Sequence, residues 1–280
     1  MTKQAFVIGH PIKHSRSPLI HGYWIAQHQL DANYTAIDVA PAHLQDQVNR
    51  VRNGDYCGGN VTLPHKEAVF ALADTVSDTA KAIGAANTLI WKADTKTLHA
   101  HNTDAYGFTA NLDAQAPQWR SGKTALVLGA GGAARAIIHA LVQADYMRVM
   151  IANRTRSKAE ILADMAPHIC STIDWQQKDI MVGDADLIVN TTALGMQGQP
   201  ALDISLDTAK PSLIVTDIVY VPLETGLLKQ ARAKRLLAVD GLGMLLHQAV
   251  PGFEAWFGVT PAVDDGLRSH IEADLFGHKE

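Results

Sequence analysis

The chain has 280 residues, of which 47% are hydrophobic and 19% are charged, and its formal net charge at pH 7 is −4. These values are typical of a globular protein with a substantial core, organised as one large domain or two ordinary ones. The acidic balance argues against a nucleic acid or an anionic membrane as a partner. Two widely separated cysteines, with no signal peptide and no apolar run of membrane length, predict a soluble cytoplasmic protein.

The first hundred residues alternate between strand and helix patterns, which predicts a βαβ sheet. The predicted strands are 5–8, 34–39 and 59–63, with a hairpin formed by 88–91 and 97–100. The predicted helices are 17–27, 41–53, 66–72 and 105–113. Proline and glycine then interrupt the pattern at 117–122, which we interpret as a linker.

A second series of strands and helices begins with the short apolar strand 125–128, which runs into a glycine turn and a helix predicted over 134–144. The turn has the pattern G-x-G-x-x-A. Gly129 permits the tight turn, Gly131 lets the backbone approach a pyrophosphate, and Ala134 lets the helix pack close to the strand. The N–H groups at the start of the helix can hold the anionic phosphates. The pattern predicts a dinucleotide site, the alternative being a glycine turn in an ordinary β-α unit.

The end of the next predicted strand, 148–152, indicates which dinucleotide is bound. NAD sites place an acidic residue about 20 residues beyond the glycine turn, whereas this strand is followed by Asn153, Arg154 and then Lys158. Arg154 can hold a 2′-phosphate with a bidentate fork, and Lys158 would lie on the same side of the following helix. A solvated basic helix start is the alternative, but cations there oppose the helix dipole. We therefore predict NADP.

The fold class that these patterns predict is α/β with two domains. Strands at 187–190, 213–217 and 238–240 complete the second series, and the amphipathic helix 244–257 has no further strand of its own. We expect a substrate-binding domain with a mixed βαβ sheet over 1–115 and a Rossmann-like, doubly wound dinucleotide-binding domain over 121–243. The C-terminal helices, 244–280, are expected to pack back on the substrate domain.

Polar side chains follow the apolar strands of the first half, at the carboxyl ends where open α/β sheets bind ligands. These clusters are 14–18, 60–66, 86–88 and 101–104, together with Gln248 near the C-terminus. Hydroxyls, amides, one lysine and one aspartate dominate them. The clusters therefore predict a small polyhydroxylated substrate with a single carboxylate.

Seven blocks of the sequence resemble the shikimate dehydrogenase family and occur in that family's order. They are Ser15-Arg16-Ser17, Asn60-Val61-Thr62-Leu63-Pro64-His65-Lys66, Gly84-Ala85-Ala86-Asn87-Thr88, Asn102-Thr103-Asp104, Gly129-Ala130-Gly131-Gly132-Ala133, Asn153-Arg154-Thr155 and Asp240-Gly241-Leu242-Gly243-Met244. The resemblance covers nearly the whole chain and implies a reversible, NADP-linked reduction of 3-dehydroshikimate to shikimate, in the pathway to aromatic amino acids. The sequence departs from the family pattern after Tyr220, where Val221-Pro222 replaces the usual Asn-Pro.

The resemblance also implies a role for each matching residue. Ser15 and Ser17 would bind the substrate carboxylate, and Tyr220 would approach the substrate from the cofactor domain. The ring hydroxyls would be bound by Thr62, Asn87, Asp104 and Gln248. Lys66 and Asp104 would be the catalytic residues. The cofactor site would comprise Asp78, Gly129, Ala130, Gly131, Gly132, Ala133, Asn153, Arg154, Thr155, Lys158, Thr191, Ile218 and Gly241.

Physical chemistry supports Lys66 as the acid/base group. Hydride transfer to a ketone leaves an alkoxide, which charged Lys66 can protonate, and neutral Lys66 can take the proton back. An adjacent Asp104 would favour the charged amine, whereas burial would oppose it. The alternative is that Lys66 merely opens a helix at the surface. His65 is interpreted as a packing or capping residue rather than a catalytic one.

No metal is expected, because the histidines lack metal-ligand spacing and hydride transfer from a nicotinamide needs none. The cysteines are interpreted as buried small apolar residues. Two other functions remain open at this point: a quinate/shikimate dehydrogenase, and a non-catalytic NADP-sensing regulator on the same fold. The oligomeric state is expected to be a monomer or a homodimer.

Overall fold

The computed structural model describes residues 2–277, which form two compact units. Unit 1 comprises the described residues of Met1–Thr103 and Leu246–Glu280, and unit 2 comprises Asp104–Leu245. The last three residues of the predicted C-terminal segment, 278–280, lie outside the described residues. The compact units thus divide at other positions than the predicted domains, and the functional assignment of the domains stays a prediction.

Unit 1 contains a mixed six-stranded sheet. Its strands are β1 (Lys3–Gly9), β2 (Ala32–Asp38), β3 (Gly58–Val61), β4 (Thr75–Val76), β5 (Thr88–Lys92) and β6 (Thr97–His101), in the spatial order β2-β1-β3-β5-β6-β4. The first three strands are parallel, β5 is antiparallel to β3, and β6 is antiparallel to β5. This arrangement confirms the predicted mixed sheet, with β4 as a two-residue addition that the pattern was too short to indicate.

The first helices of unit 1 are α1 (Ser17–Gln27), α2 (Leu44–Arg52), α3 (Lys66–Leu72) and α4 (Asp78–Ile83). The predicted helix 41–53 is divided, because a 3-10 turn at Pro41–His43 precedes α2. Leu44, Val48 and Val51 recur at helical spacing, and they pack in one core with Phe6 and Ile8 of β1. Helix α2 and strand β1 thus share one apolar core.

Unit 2 is a doubly wound parallel sheet. Its strands are β7 (Thr124–Leu128), β8 (Arg148–Ala152), β9 (Cys170–Ile173), β10 (Leu187–Asn190), β11 (Ile214–Asp217) and β12 (Leu237–Val239). They lie in the order β12-β11-β10-β7-β8-β9, and every neighbouring pair is parallel. The chain direction across the sheet reverses between β7 and β10, which is the topological switch point where such sheets bind ligands. The Rossmann-like prediction is confirmed.

The remaining helices complete the two units. They are α5 (Asp104–Gln115), α6 (Gly132–Gln143), α7 (Arg156–Ala163), α8 (Lys178–Met181), α9 (Gly226–Ala233), α10 (Leu242–Phe257) and α11 (Asp265–Gly277). Two of these helices, α8 and α9, and the strand β9 were not anticipated, because each is short and contains too few residues for a clear apolar repeat. No helix within residues 2–277 is long and apolar enough to cross a membrane.

The segment predicted as a linker is folded into unit 2. Pro117–Ser121 forms a 3-10 helix in which Trp119 is completely buried. The Trp119 ring packs against Phe108 and Tyr146, and its Nε1 donates to Asp113 Oδ1 at 2.8 Å. The large apolar surface of the indole outweighs the local Pro and Gly signals, which explains why the linker prediction was wrong.

The cysteines are only partly as expected. Cys170 is buried, whereas Cys57 is half-buried and its Sγ donates to the Gln4 carbonyl oxygen at 3.0 Å. Burial raises the pKa of each thiol to about 11. Both thiols are therefore protonated at neutral pH, and the protonated form is the less reactive one.

Candidate active site and dinucleotide site

Two serines flank the start of α1 in unit 1. Ser17 is the first residue of this helix and is buried, and its backbone N–H donates to Ser15 Oγ at 3.3 Å. Arg16, between them, is occupied elsewhere, because its Nε donates to Asp274 of α11 at 2.8 Å. The loop therefore presents hydroxyls and the N–H groups of a helix start, which can together bind an anion.

Thr62 and Lys66 follow β3 in the same unit. The backbone N–H of Thr62 donates to Ile8 of β1 at 2.8 Å, which holds Thr62 next to the end of that strand. Lys66 is the first residue of α3, and its carbonyl accepts from Ala86 N–H at 2.9 Å. This backbone contact brings Lys66 beside the segment that carries Asn87.

Asn87 is buried, and both ends of its amide are used. Its Oδ1 accepts from Thr103 N–H and from Thr88 Oγ1, each at 2.9 Å. Its Nδ2 donates to Gln248 Oε1 of α10 at 3.4 Å. Unit 1 therefore brings Lys66, Asn87 and Gln248 to one region. Asp104, which opens α5, and Tyr220, which follows β11, belong to unit 2 and are half-buried.

His65, next to Lys66, is buried and points into the core of unit 1. Its Nε2 donates to the Val39 carbonyl oxygen at 2.7 Å. This contact supports the interpretation of His65 as a packing residue. Asp78 opens α4 in the same unit; its exposed carboxylate accepts from Lys81 Nζ at 3.4 Å. Among the described residues, no cluster of His, Cys, Asp or Glu could hold a metal ion.

The glycine turn of unit 2 lies at the switch point of the sheet. Gly129 has φ of +108°, and a Cβ there would lie 2.5 Å from Thr191 Oγ1. Thr191 follows β10 and donates from that hydroxyl to the Leu128 carbonyl at 2.8 Å. Gly131 precedes α6, is exposed and has open space around it. Only glycine fits the turn at 129, and the open start of α6 leaves N–H groups for a pyrophosphate.

A groove of about 340 Å³ opens beyond β8 and β9. Its lining includes Asn153, Arg154, Arg156, Asp174 and Trp175. The Asn153 Nδ2 donates to the Thr155 carbonyl at 2.8 Å, which closes the turn, and Arg154, Thr155 and Lys158 are exposed.

The two arginines of the groove differ in their partners. Arg156 donates to Asp174 at 2.7 Å and to Glu160 at 2.9 Å, so carboxylates already neutralise it. Arg154 forms no ion pair within the described part of the chain. Of the two, Arg154 is the one whose charge is available to a phosphate.

Gly241 and Ile218, both of which the family resemblance assigns to the cofactor site, approach each other closely in unit 2. A Cβ at position 241 would collide with the Ile218 carbonyl, so the close backbone approach requires glycine. The loops near this contact are tied to a buried carboxylate that sequence reasoning missed. Asp217 accepts from Asn190 Nδ2 at 2.9 Å, Val219 N–H at 3.0 Å and Thr225 Oγ1 at 2.8 Å.

The sequence contains a signal for the contact between Asn190 and Asp217. Asn190 and Asp217 are each the polar last residue of an apolar strand, and they are register partners in the parallel β10–β11 pair. Burial raises the pKa of the Asp217 carboxyl. The pair fixes the chain after both strands, where Thr191 and Ile218 lie.

A doubly wound parallel sheet, with a glycine turn at its switch point and a basic groove beyond its second strand, defines a dinucleotide-binding α/β protein. Three family profiles match the sequence: shikimate dehydrogenase substrate binding domain at 7–89, shikimate / quinate 5-dehydrogenase at 112–218, and shikimate 5′-dehydrogenase C-terminal domain at 241–267. The shikimate dehydrogenase (NADP(+)) of Methylobacterium radiotolerans is 53% identical over 279 residues, which cover 99% of each chain.

Solved structures agree with this match. Shikimate 5-dehydrogenase from Thermus thermophilus, in complex with NADP(H) and shikimate, is 34% identical with a TM-score of 0.86, covering 97% of this chain and 99% of that chain. Quinate dehydrogenase from Corynebacterium glutamicum, in complex with NAD, is 30% identical with a TM-score of 0.89 and the same coverage. The chain belongs to the shikimate dehydrogenase family, which confirms the resemblance seen in the sequence.

Proposed function

We propose that this protein is an NADP-linked oxidoreductase that interconverts 3-dehydroshikimate and shikimate, in the biosynthesis of aromatic amino acids. The observation that carries the proposal is the 53% identity, over 99% of both chains, with an NADP(+)-dependent shikimate dehydrogenase. The open Arg154 in the groove beyond β8, with no acidic residue in the place that NAD sites use, supports the same cofactor.

The substrate site that we propose lies on the strand ends of unit 1. Ser15 and Ser17 bind the carboxylate, supported by their hydroxyls at the start of α1. The ring hydroxyls are bound by Thr62, Asn87, Asp104 and Gln248. Tyr220 is a further proposed substrate contact, from the family resemblance. The contact of Asn87 with Gln248 supports a shared role for these two amides.

The cofactor supplies or accepts a hydride when it is bound, and the protein must move the accompanying proton. In the proposed mechanism Lys66 Nζ gives a proton to the oxygen that becomes the ring hydroxyl, and neutral Lys66 removes it in the oxidative direction. Asp104 holds the ammonium group and the hydroxyl in place. His65 has its Nε2 engaged with the Val39 carbonyl, which favours Lys66 over His65 for this role.

The proposed cofactor site follows unit 2 from the switch point outward. The residues 129–133 and Thr191 hold the pyrophosphate, which fits the open first turn of α6. The 2′-phosphate is held by Asn153, Arg154, Thr155 and Lys158. Ile218 and Gly241 line the nicotinamide end. The family resemblance also implies that Asp78 contacts the cofactor.

We further propose that the substrate domain spans 1–115, the cofactor domain 121–243 and the C-terminal helices 244–280. The small-molecule substrate is the expected partner, and the proposed oligomeric state is a monomer or a homodimer. Cysteine usage supports a cytoplasmic location.

The decisive experiment is a steady-state assay of the purified protein with shikimate and with quinate, each with NADP and with NAD. We expect kcat/KM to be highest for shikimate with NADP. Faster turnover of quinate with NAD would instead identify a quinate dehydrogenase. Tight NADP binding without turnover of either substrate would identify the non-catalytic regulator.

A further inference from the structure

Three hydrogen-bonded side chains form a buried row in unit 1, next to the residues that we propose to bind the ring hydroxyls. Asn60 of β3 contacts Thr88 of β5, and Thr88 contacts Asn87, the residue before that strand. All three residues are buried, and Thr88 completely so. The proposed function gives Thr88 no role, although a buried hydroxyl inside a strand calls for an explanation.

The direction of each hydrogen bond in this row can be assigned. One end of the Asn60 amide lies 3.3 Å from the Asn87 carbonyl oxygen, and because a carbonyl only accepts, that end is Nδ2. The same Nδ2 donates to Thr88 Oγ1 at 3.3 Å. The Thr88 proton is then left for Asn87 Oδ1 at 2.9 Å, since Thr103 Oγ1 is more distant at 3.5 Å.

Asn87 Oδ1 therefore receives two different donors. The backbone N–H of Thr103 donates to it at 2.9 Å, and because a backbone N–H only donates, this contact decides which end of the amide is the oxygen. The last torsion of an asparagine side chain is broad, so a second donor is needed to hold the amide plane. Thr88 supplies it. At the other end, Nδ2 faces Thr103 Oγ1 at 3.0 Å and Gln248 Oε1 at 3.4 Å.

The two donors also change the chemistry of the amide. Hydrogen bonds to the carbonyl oxygen of an amide polarise the group, and the N–H bonds at its other end become stronger donors. In Asn87 that end is Nδ2, on the side of Gln248. The contact with Thr88 thus acts at the atom that can donate to a hydroxyl oxygen.

We propose that Thr88 is a positioning residue for the substrate: its hydroxyl donates to Asn87 Oδ1 and thereby holds and polarises the amide whose Nδ2 binds a ring hydroxyl. The inference rests on the proposed function, in which Asn87 and Gln248 bind the ring hydroxyls of shikimate. Asn60 completes the arrangement, because its donation to the Thr88 oxygen keeps the Thr88 proton directed at Asn87.

The test is Thr88→Val, which removes the hydroxyl and keeps the branched shape of the side chain. No buried group is orphaned, because Asn60 Nδ2 keeps the Asn87 carbonyl and Asn87 Oδ1 keeps the Thr103 N–H. We expect the KM for shikimate to rise about three- to tenfold, the effect of one lost hydrogen bond. The KM for NADP should stay within twofold of the wild type.

Thr88→Ser separates the hydroxyl from the packing of the side chain. Serine keeps the donor but lacks the buried methyl group, so this variant should have a lower melting temperature. Its KM for shikimate should nevertheless stay within twofold of the wild type. A merely structural role would raise this KM in both variants. That result would overturn the proposal, as would an unchanged KM in Thr88→Val.

Tyr146→Phe is the matched control, because it also removes one buried hydroxyl and keeps the rest of the side chain. That hydroxyl donates to the Trp119 carbonyl at 2.8 Å in unit 2. We expect a lower melting temperature and an unchanged KM for shikimate. A rise of this KM equal to that in Thr88→Val would overturn the proposal, since it would show a general effect of destabilisation.

A double-mutant cycle tests whether Thr88 acts through Asn87. In the Asn87→Ala background, Thr88→Val should raise the KM for shikimate by less than twofold. The same fold rise in both backgrounds would overturn the proposal. A wild type without shikimate turnover, or Asn87→Ala without a rise in KM, would instead refute the proposed function or its hydroxyl site, and the inference with it.

Two substitutes keep the test decisive if a variant does not fold. Thr88→Ala replaces Thr88→Val, with the same expected rise in the KM for shikimate and the same results against the proposal. If Asn87→Ala does not fold, the comparison of Thr88→Val with Thr88→Ser decides alone.

Discussion

Two arginines line the groove beyond β8, and their partners separate their roles. Arg156 is held between Asp174 and Glu160, whereas Arg154 extends from the turn that Asn153 closes. A guanidinium already paired with two carboxylates gains little from a phosphate, because much of its charge is compensated. Neighbouring residues of one type therefore differ in what they can bind.

Arg154→Ala should raise the KM for NADP by about ten- to a hundredfold, the loss of a hydrogen bond to a charged group. The KM for NAD should change little, since NAD lacks the 2′-phosphate. Steady-state kinetics with each cofactor measures both values. Arg156→Ala is the control and should have a much smaller effect on NADP. Equal losses with NADP and NAD would refute the assignment of Arg154 to the 2′-phosphate.

Lys66→Ala should lower kcat by roughly 100-fold or more, the usual size of a general acid/base contribution. NADP binding should be intact, as measured by fluorescence titration. Lys92→Ala, at an exposed lysine of the same unit, is the control. Near-normal turnover in Lys66→Ala would mean that His65 or solvent transfers the proton instead. His65→Ala, measured in parallel, would distinguish these two.

His21 should make the free energy of unfolding depend on pH. Burial lowers its pKa from 6.5 to about 3, so between these values the unfolded chain binds a proton that the folded protein does not. The stability that neutral His21 contributes is fully present above the unfolded pKa. The free energy of unfolding then decreases as the pH falls below that value, with a slope of at most about 1.4 kcal/mol per pH unit.

Denaturant unfolding of the wild type and of His21→Gln between pH 7 and pH 4 measures this slope. Burial also lowers the pKa of His99, His101 and His139, so only the difference between the two proteins reports on His21. The variant should show the shallower loss of stability. Parallel curves for the two proteins would contradict the prediction.

At the scale of elements, the ends of β10 and β11 are joined by the Asn190–Asp217 contact. The Asp217 carboxylate accepts three hydrogen bonds inside the protein, which offset the cost of its burial. The residues after these strands, Thr191 and Ile218, belong to the proposed cofactor site. A contact between strand ends can thus position two binding loops at once.

Asp217→Asn should lower stability by about 1–3 kcal/mol, because an amide nitrogen replaces one acceptor among three donors. It should also raise the KM for NADP, since both loops lose their anchor. Asp186→Asn is the control: Asp186 precedes β10 and accepts from the N–H groups of Lys123 and Thr124. It should lose stability with an unchanged KM for NADP. The same KM in both variants would contradict the anchoring role.

Local sequence patterns are sufficient to predict the position of some elements. Apolar strands of four or more residues, such as β1 and β7, and the helix after the glycine turn were predicted close to their observed positions. The two-residue β4 and the 3-10 helix at Pro117–Ser121 were not, because their conformation depends on β6 in one case and on the burial of Trp119 in the other. Short elements are set by their neighbours in space.

For the whole molecule, the sequence by itself determined the fold class, the family, the glycine turn and the choice of NADP. Each of these depends on residues close together in the chain, whose spacing decides the turn, the helix start and the charge beside it. The tertiary structure decided which side chains are already engaged. Arg156 is neutralised by Asp174 and His65 is held by the Val39 carbonyl, and Asn60 of β3 joins His21 of α1 to Tyr34 of β2. Hydrogen bonds between distant residues depend on the packing of the sheet, which no local pattern encodes.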